Sequence, residues 1–152
     1  MTIFELLKQN GLMQNEGIGK SALLEYQKKL YNARKATIPL SYGRFLQKCN
    51  GIQNDTLALF GANPSRDSFV QDIFERNDAA GLIKQNDKIF LGDNFREYLC
   101  YTWSQKSYNI IDKETLREKL KFPYMEQALL FFLRDYIKQD NTKEKTTEGL
   151  GR

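Results

Sequence analysis

The sequence contains no histidine among its 152 residues. Histidine is the commonest general base, the commonest zinc ligand and the usual partner of a nucleophilic serine or cysteine. Its absence excludes most hydrolase mechanisms. Carboxylates alone can support glycoside hydrolysis, and Asp72 with Glu75 or Asp87 with Asp93 are available. However, eight acids within residues 54–97 produce such pairs by chance. We therefore expect a protein without catalytic residues, cofactor or metal ion.

Cysteine and long apolar runs are also scarce. The two cysteines, Cys49 and Cys100, stand in apolar surroundings without C-x-x-C spacing, which indicates small core residues, although a disulfide between them stays open. The longest apolar run, Ala128–Leu133, is far shorter than the roughly 18 residues of a membrane span. The opening MTIFELLKQN has too short an apolar run for a signal peptide. We expect a cytoplasmic protein with no membrane partner.

Phosphate-binding loops are missing as well, because neither G-x-x-x-x-G-K-[ST] nor G-x-G-x-x-G occurs. The segment Gly17–Ser21 reads G-x-G-K-S, but Gln14 stands where the first glycine of a Walker loop is required, and no strand pattern precedes it. We do not expect a nucleotide site there.

The composition that remains is typical of one globular domain, with 41% hydrophobic and 28% charged residues. We expect a single domain over residues 1–138. Residues 139–152 carry one leucine and no aromatic residue, which predicts a disordered polar tail.

The net charge of +4 is unevenly distributed along the chain. Residues 1–53 carry +5, residues 54–97 carry −3 and residues 98–152 carry +2. This pattern lacks the dense basic stripe with interleaved aromatics that is typical of nucleic-acid binders. A partner could instead face the acidic middle of the chain.

Apolar spacing and capping residues predict several helices. The first has Thr2 as N-cap, Glu5 as its capping-box partner and Gly11 as its end, and the second covers Lys20–Lys35. The third follows Pro39 and ends at Asn50-Gly51. We predict two further helices, at Ser68–Asn77 with Ser68 as cap and at Pro123–Lys138. The inward-facing residues of the second and third helices are Leu23, Tyr26, Leu30 and Ala33, then Tyr42, Phe45, Leu46 and Cys49.

Short runs of β-branched and aromatic residues predict strands between these helices. They are Thr56–Phe60, Lys88–Leu91, Glu97–Trp103 and Tyr108–Ile111. The strand Glu97–Trp103 is apolar on both alternating faces, so we expect it to be central.

The segment Ile38–Gly51 resembles the signature helix of the SUKH superfamily, which includes the fungal cell-wall assembly regulator and bacterial immunity proteins. Leu59–Gly61, Asp87–Asp93, Leu99–Asp112 and Phe122–Leu133 follow in the order of that family's later motifs. The resemblance covers about residues 20–138 and is strongest with small bacterial proteins of the YrhA group. The residues that match recurring family positions are Pro39, Tyr42, Phe45, Leu46, Asn50, Gly51, Phe60, Gly61, Gly92 and Asp93.

The resemblance implies an α+β fold, with an antiparallel or mixed β-sheet packed with helices, and a binding role without catalytic residues. Our main hypothesis is an immunity protein that binds and neutralises a cognate toxin such as a nuclease or deaminase. An acidic docking face would oppose a basic toxin surface, while affinity would come from exposed aromatics near it. The candidate docking residues are Asp67, Asp72, Glu75, Asp78, Asp87 and Asp93.

Two alternatives stay open. One is a scaffold or regulatory interaction module that uses the apolar last helix as its contact, like the fungal relative. The other, which we favour less, is nucleic-acid binding through basic residues of the second helix, namely Lys20, Lys28, Lys29, Arg34 and Lys35. The sequence leaves the oligomeric state open.

Overall fold

The computed structural model describes residues 2–12, 15–62, 70–79 and 87–137. Three helices come first, one helix interrupts the strands and one follows them. The helices are α1 (Ile3–Gln9), α2 (Lys20–Arg34), α3 (Leu40–Lys48), α4 (Ile73–Ala79) and α5 (Met125–Phe132). The strands are β1 (Ile52–Gln53), β2 (Ala58–Leu59), β3 (Lys88–Asp93), β4 (Glu97–Thr102), β5 (Ser107–Asp112) and β6 (Glu118–Phe122).

The six strands form one sheet in chain order, and every neighbouring pair is antiparallel. This confirms the predicted α+β class. β4 lies in the interior of the sheet, as its two apolar faces predicted. Leu99 of β4 is paired with Ile110 of β5, and both side chains are fully buried on the face that α5 covers. The hydroxyl of Tyr108, on the same face, contacts Ser41 of α3.

The third helix has the predicted buried face, because Tyr42, Phe45, Leu46 and Cys49 are at most 1% exposed. Cys49 and Cys100 are both free and buried, which confirms that they are core residues. Burial raises the pKa of the Cys49 thiol to about 11 and that of Cys100 to about 12. Neither thiol is therefore a reactive nucleophile near neutral pH.

The junction after α3 depends on Asn50 and two glycines. Gly51 has a φ of +92°, which a side chain would strain. The Asn50 carboxamide accepts from the N–H of Ala62 at 2.9 Å and donates to the Ala62 carbonyl at 3.1 Å. Gly61 lies so close to this contact that a Cβ there would stand 2.5 Å from the Asn50 carbonyl oxygen. The end of α3 is thereby tied to the chain leaving β2.

The fourth helix begins later than predicted, at Ile73 instead of Ser68, which lies outside the described residues. Asp72 takes the capping role, since its carboxylate accepts from the N–H of Glu75 at 3.1 Å. The helix starts later because the residues before it pair with Gly61 through their backbone. Gly61 forms a parallel bridge with Asp72: its carbonyl accepts from the N–H of Ile73, and its N–H donates to the carbonyl of Gln71. Those pairings hold the residues before Ile73 in an extended conformation.

Other boundaries also differ from the predictions. α5 ends at Phe132, and the next residues form turns with i to i+3 hydrogen bonds such as Tyr136 N–H to Leu133. Ala33 is exposed, whereas Leu23, Tyr26 and Leu30 are buried. β1 and β6 are additional strands. The predicted polar tail, residues 139–152, lies outside the described residues.

A side chain of α4 pairs with the part of β3 that β2 does not reach. Asn77 is fully buried, accepts from the N–H of Phe90 at 2.8 Å and donates to the carbonyl of Phe90 at 2.8 Å. Its amide group therefore pairs with β3 as a neighbouring strand would.

We expect Asn77→Ala to lower the free energy of unfolding by about 3 kcal/mol, because it leaves two buried backbone groups of Phe90 without partners. Urea denaturation followed by circular dichroism measures this. Asn32→Ala, at an exposed position of α2, is the matched control and should change stability by only a few tenths of a kcal/mol. Similar losses in the two variants would contradict the assigned role of Asn77.

Candidate interaction site

A cleft of about 300 Å³ opens at one end of the sheet, between the β1–β2 hairpin and the β3–β4 turn. It combines two carboxylates, one ammonium group, two glutamines and one large aromatic ring. The lining residues are Gln53, Asp55, Thr56, Leu57, Ala58, Gln71, Asp93, Phe95 and Lys113.

The hairpin wall is ordered by Asn54. Its side-chain oxygen accepts from the N–H groups of Thr56 at 3.2 Å and Leu57 at 3.0 Å, which is the local turn that asparagine favours. Asp55 is exposed at the tip of this hairpin. On the other side, Gln71 donates to the Gln53 side chain at 3.2 Å.

The opposite wall is the β3–β4 turn, which Asn94 holds from inside. Asn94 is buried, and its side chain accepts from the N–H of Arg96 at 2.8 Å and of Glu97 at 2.7 Å. It also donates to the carbonyl of Phe132 at 3.1 Å. Because Asn94 points inward, Phe95 at the turn tip projects outward, and 55% of it is exposed.

The floor carries a charge network. The Asp93 carboxylate pairs with Arg76 of α4 at 3.0 Å and with the ammonium group of Lys113. Lys113 also lies over the Tyr98 ring, 5.4 Å from its centroid. These contacts hold Asp93 in place with only 19% of its side chain exposed.

Glu97, directly after the turn, is a buried carboxylate with strong partners. It accepts from Arg134 at 2.8 and 2.9 Å and from Lys119 at 2.6 Å. Burial alone would raise the pKa of Glu97, but the hydrogen bonds from Arg134, Lys119 and Asn94 outweigh burial and lower it to about 2. The carboxylate is therefore charged at neutral pH and ties β4 to β6 and to the end of α5.

The acids that the sequence indicated as a docking face do not share one surface: only Asp93 lines the cleft, whereas Asp72 and Glu75 lie together at the start of α4. Asp72 is 5% exposed and accepts from the hydroxyl of Tyr26 at 2.7 Å, so it does not present its carboxylate to a partner. Asp78 pairs with Arg34 of α2 at 2.6 Å.

The remaining three acids are Glu75, Asp87 and Asp67. Glu75 is exposed on α4, and Asp67 lies outside the described residues. Asp87 accepts from the hydroxyl and N–H groups of Ser104, and these hydrogen bonds hold its pKa below the usual value. It therefore closes a turn at the other end of β3.

Sequence reasoning missed Asp55, Phe95 and Lys113 as cleft residues. Phe95 could have been predicted to be exposed, because it is an aromatic residue between the polar residues Asn94 and Arg96, just after the Gly92-Asp93 turn. Asp55 and Lys113 carried no signal, because their neighbours are distant in sequence. Lys113 reaches the cleft because its N–H donates to the carbonyl of Arg96 at 3.0 Å, across from the β3–β4 turn.

The structure also locates the residues on which the scaffold and nucleic-acid hypotheses depend. The five basic residues lie on α2 or at its end and are exposed, with Arg34 paired to Asp78 and Lys35 over the Tyr31 ring. The last helix buries Ala128, Leu129 and Phe132 in the core. Its main apolar face is consequently covered by the sheet.

The residues on which the resemblance to the SUKH superfamily rests lie mostly in the core, and Asn50, Gly51 and Gly61 among them form the junction after α3. Pro39 and the others are buried, except for the half-buried Asn50 and Asp93. Among the described residues, no group of three or more cysteine and acidic side chains is placed to hold a metal ion. No helix in that part of the chain is long and apolar enough to cross a membrane.

No protein-family model matches this chain, and no curated protein matches it.

We expect Glu97→Gln to lower the free energy of unfolding at pH 7 by about 2–3 kcal/mol, because Arg134 and Lys119 lose a buried charged partner. In the folded state the pKa of Glu97 is depressed from 4.5 to about 2. Its stabilising contribution is therefore complete above about pH 4.5 and disappears as the pH falls towards 2.

The measurement is chemical denaturation of both proteins between pH 7 and pH 2.5. The stability difference between the parent and Glu97→Gln should shrink below about pH 4. Glu126→Gln, exposed in the first turn of α5, is the control and should follow the parent at every pH. A constant gap across this range would show that the Glu97 carboxylate is not the titrating partner.

Proposed function

We propose that this protein is a protein-binding module and that the cleft beside Phe95 is its docking site. The exposure of Phe95 on a turn that Asn94 holds by hydrogen bonds is the observation that carries the proposal. Aromatic residues at the centre of an interface provide much of its binding energy. Here the hydrogen bonds of Asn94 order the backbone on both sides of Phe95, and Arg96 lies over the ring, so less conformational entropy is lost when a partner covers it.

The rim acid of the cleft favours a basic partner surface. Asp55 is exposed at the rim, whereas Asp93 at the floor is already paired with both Arg76 and Lys113. Carboxylates at a rim mainly accelerate association with a cationic partner, while the desolvated aromatic contact slows dissociation. A protein surface evolved to bind nucleic acid would offer such cations.

We further propose that the partner is a toxin and that the protein is an immunity protein of the SUKH type. The support is the resemblance of its motifs, together with the way these motif residues contact one another. Tyr42 donates to the carbonyl of Phe60 at 2.6 Å, and Asn50 bonds both backbone groups of Ala62, next to Gly61. Three motif residues that are distant in sequence, Tyr42, Asn50 and Phe60, thus meet at one junction.

The immunity proposal expects a toxin gene beside this one, and the experiment is to sequence the adjacent genes and co-express this protein with the toxin domain that they encode. The parent protein should restore growth and co-purify with the toxin in a one-to-one complex. No rescue and no complex would sink the immunity proposal. Recovery of a housekeeping complex instead would favour the scaffold alternative.

We expect Phe95→Ala to weaken the complex at least tenfold, because about 1.4 kcal/mol or more of aromatic contact is lost. Tyr124→Ala removes another exposed aromatic, 68% exposed before α5 and outside the cleft, and should leave the affinity unchanged. Surface plasmon resonance would measure both variants. Equal effects in the two variants would exclude the cleft as the docking site.

Asp55→Lys should act on the association rate. It reverses a rim charge that draws in a cationic partner, so the rate should fall several-fold at low salt, with a smaller difference at high salt. Asp87→Asn, away from the cleft, is the control and should leave the rate unchanged.

A further inference from the structure

A second cavity, of about 210 Å³, lies between α2 and α3 and shares no lining residue with the Phe95 cleft. From α2 it is lined by Lys20, Leu23, Leu24 and Gln27, and from α3 by Leu40, Gly43, Arg44 and Gln47. These residues follow the i, i+3, i+4 and i+7 spacing of one helix face on each side. The cavity is therefore a groove that runs between two helices.

The groove has an apolar centre that water reaches. Leu24 is 53% exposed and Leu40 is 72% exposed, so two large apolar side chains flank the opening. Single exposed leucines are ordinary on a protein surface, but these two border the same cavity. A groove between helices can receive the apolar face of an amphipathic helix.

Gly43 keeps the groove open. It stands in the middle of α3, where glycine weakens a helix relative to alanine. A Cβ at this position would meet only the Leu23 methyl carbon, at an ordinary 3.5 Å. Packing therefore tolerates alanine at position 43, whereas a longer side chain would extend into the cavity.

The charges around the groove select the partner. Lys20 and Arg44 line it from opposite helices, and none of the described lining residues is acidic. α2 and α3 together carry six Lys or Arg and a single acid, Glu25. A groove-to-groove contact with a second copy would bring like charges together, which disfavours that occupant.

We propose that the α2–α3 groove binds an acidic amphipathic helix of a partner protein. The apolar side chains of that helix enter between Leu24 and Leu40, and its carboxylates lie against Lys20 and Arg44. This site is independent of the proposed toxin-binding cleft, because it uses other elements and the opposite charge preference.

The probe is a fluorescein-labelled synthetic peptide of about 16 residues, long enough to form a helix on binding, with leucines at i, i+3 and i+7 and glutamates on the flanks. A matched peptide replaces every glutamate with glutamine. Fluorescence anisotropy with the full chain should show micromolar binding of the acidic peptide and at least tenfold weaker binding of the neutral one. Equal binding of the two peptides, or none, would overturn the proposal.

Gly43→Met should weaken binding of the acidic peptide at least tenfold by filling the groove, whereas Gly43→Ala should bind like the parent. Leu40→Ser, at an exposed position where folding is not at risk, should also lose about tenfold. Circular dichroism establishes that each variant is folded. Unchanged affinity in both Gly43→Met and Leu40→Ser would refute the groove as the site.

Two further outcomes would assign the surface to another occupant and overturn the proposal. One is displacement of the peptide by a short single-stranded oligonucleotide, with steep salt dependence, which would make α2 a phosphate-binding surface. The other is a dimer in size-exclusion chromatography that Gly43→Met dissociates, which would make the groove a self-association interface. The Phe95→Ala variant should bind the peptide normally, which separates this test from that of the cleft.

Discussion

The buried hydroxyl of Tyr42 is the contact on which the arrangement of helix and sheet depends. The ring is fully buried, so its hydroxyl must find an acceptor inside the protein. It donates to the carbonyl of Phe60 at 2.6 Å and lies 3.2 Å from that of Leu91, where β3 departs from regular register. Burial raises the pKa of Tyr42 far above its usual value, so this donor stays protonated at any working pH.

A series of hydrogen bonds, most of them from side chains to the backbone, connects this junction to the turn that forms one wall of the cleft. Asn50 ties α3 to Ala62, and the bridge between Gly61 and Asp72 fixes where α4 starts. Asn77 of α4 then bonds β3, whose last residues lead into the turn that carries Phe95. Each step satisfies buried backbone groups that would otherwise be costly. The turn that carries Phe95 is therefore already hydrogen-bonded to the rest of the fold before a partner binds.

The parts of this framework that follow local rules could be predicted from sequence. The capping box of α1, the buried face of α3 and the interior strand β4 depend on residue spacing alone, and the structure confirms them. The start of α4 could not be predicted, because a capping serine pattern is overridden by a backbone bridge to Gly61. β6 was not predicted, because three of its five residues are charged and only pairing with β5 makes them a strand.

The candidate site was harder to predict, because net charge along a sequence does not describe charge on a surface. The acidic middle of the chain suggested one docking face, but Asp72 caps a helix, Asp78 neutralises Arg34 and Asp87 closes a turn. Carboxylates that accept local hydrogen bonds gain stability in the folded protein but offer little to a partner.

What distinguishes the two candidate surfaces is therefore the shape that surrounds the charges. The acids of the cleft accompany a protruding aromatic ring, which suits insertion into a partner. The cations of the α2–α3 groove surround a cavity that a glycine leaves empty, which suits reception of a partner's side chains. Because the two surfaces oppose each other in both shape and charge, one partner chemistry does not satisfy both.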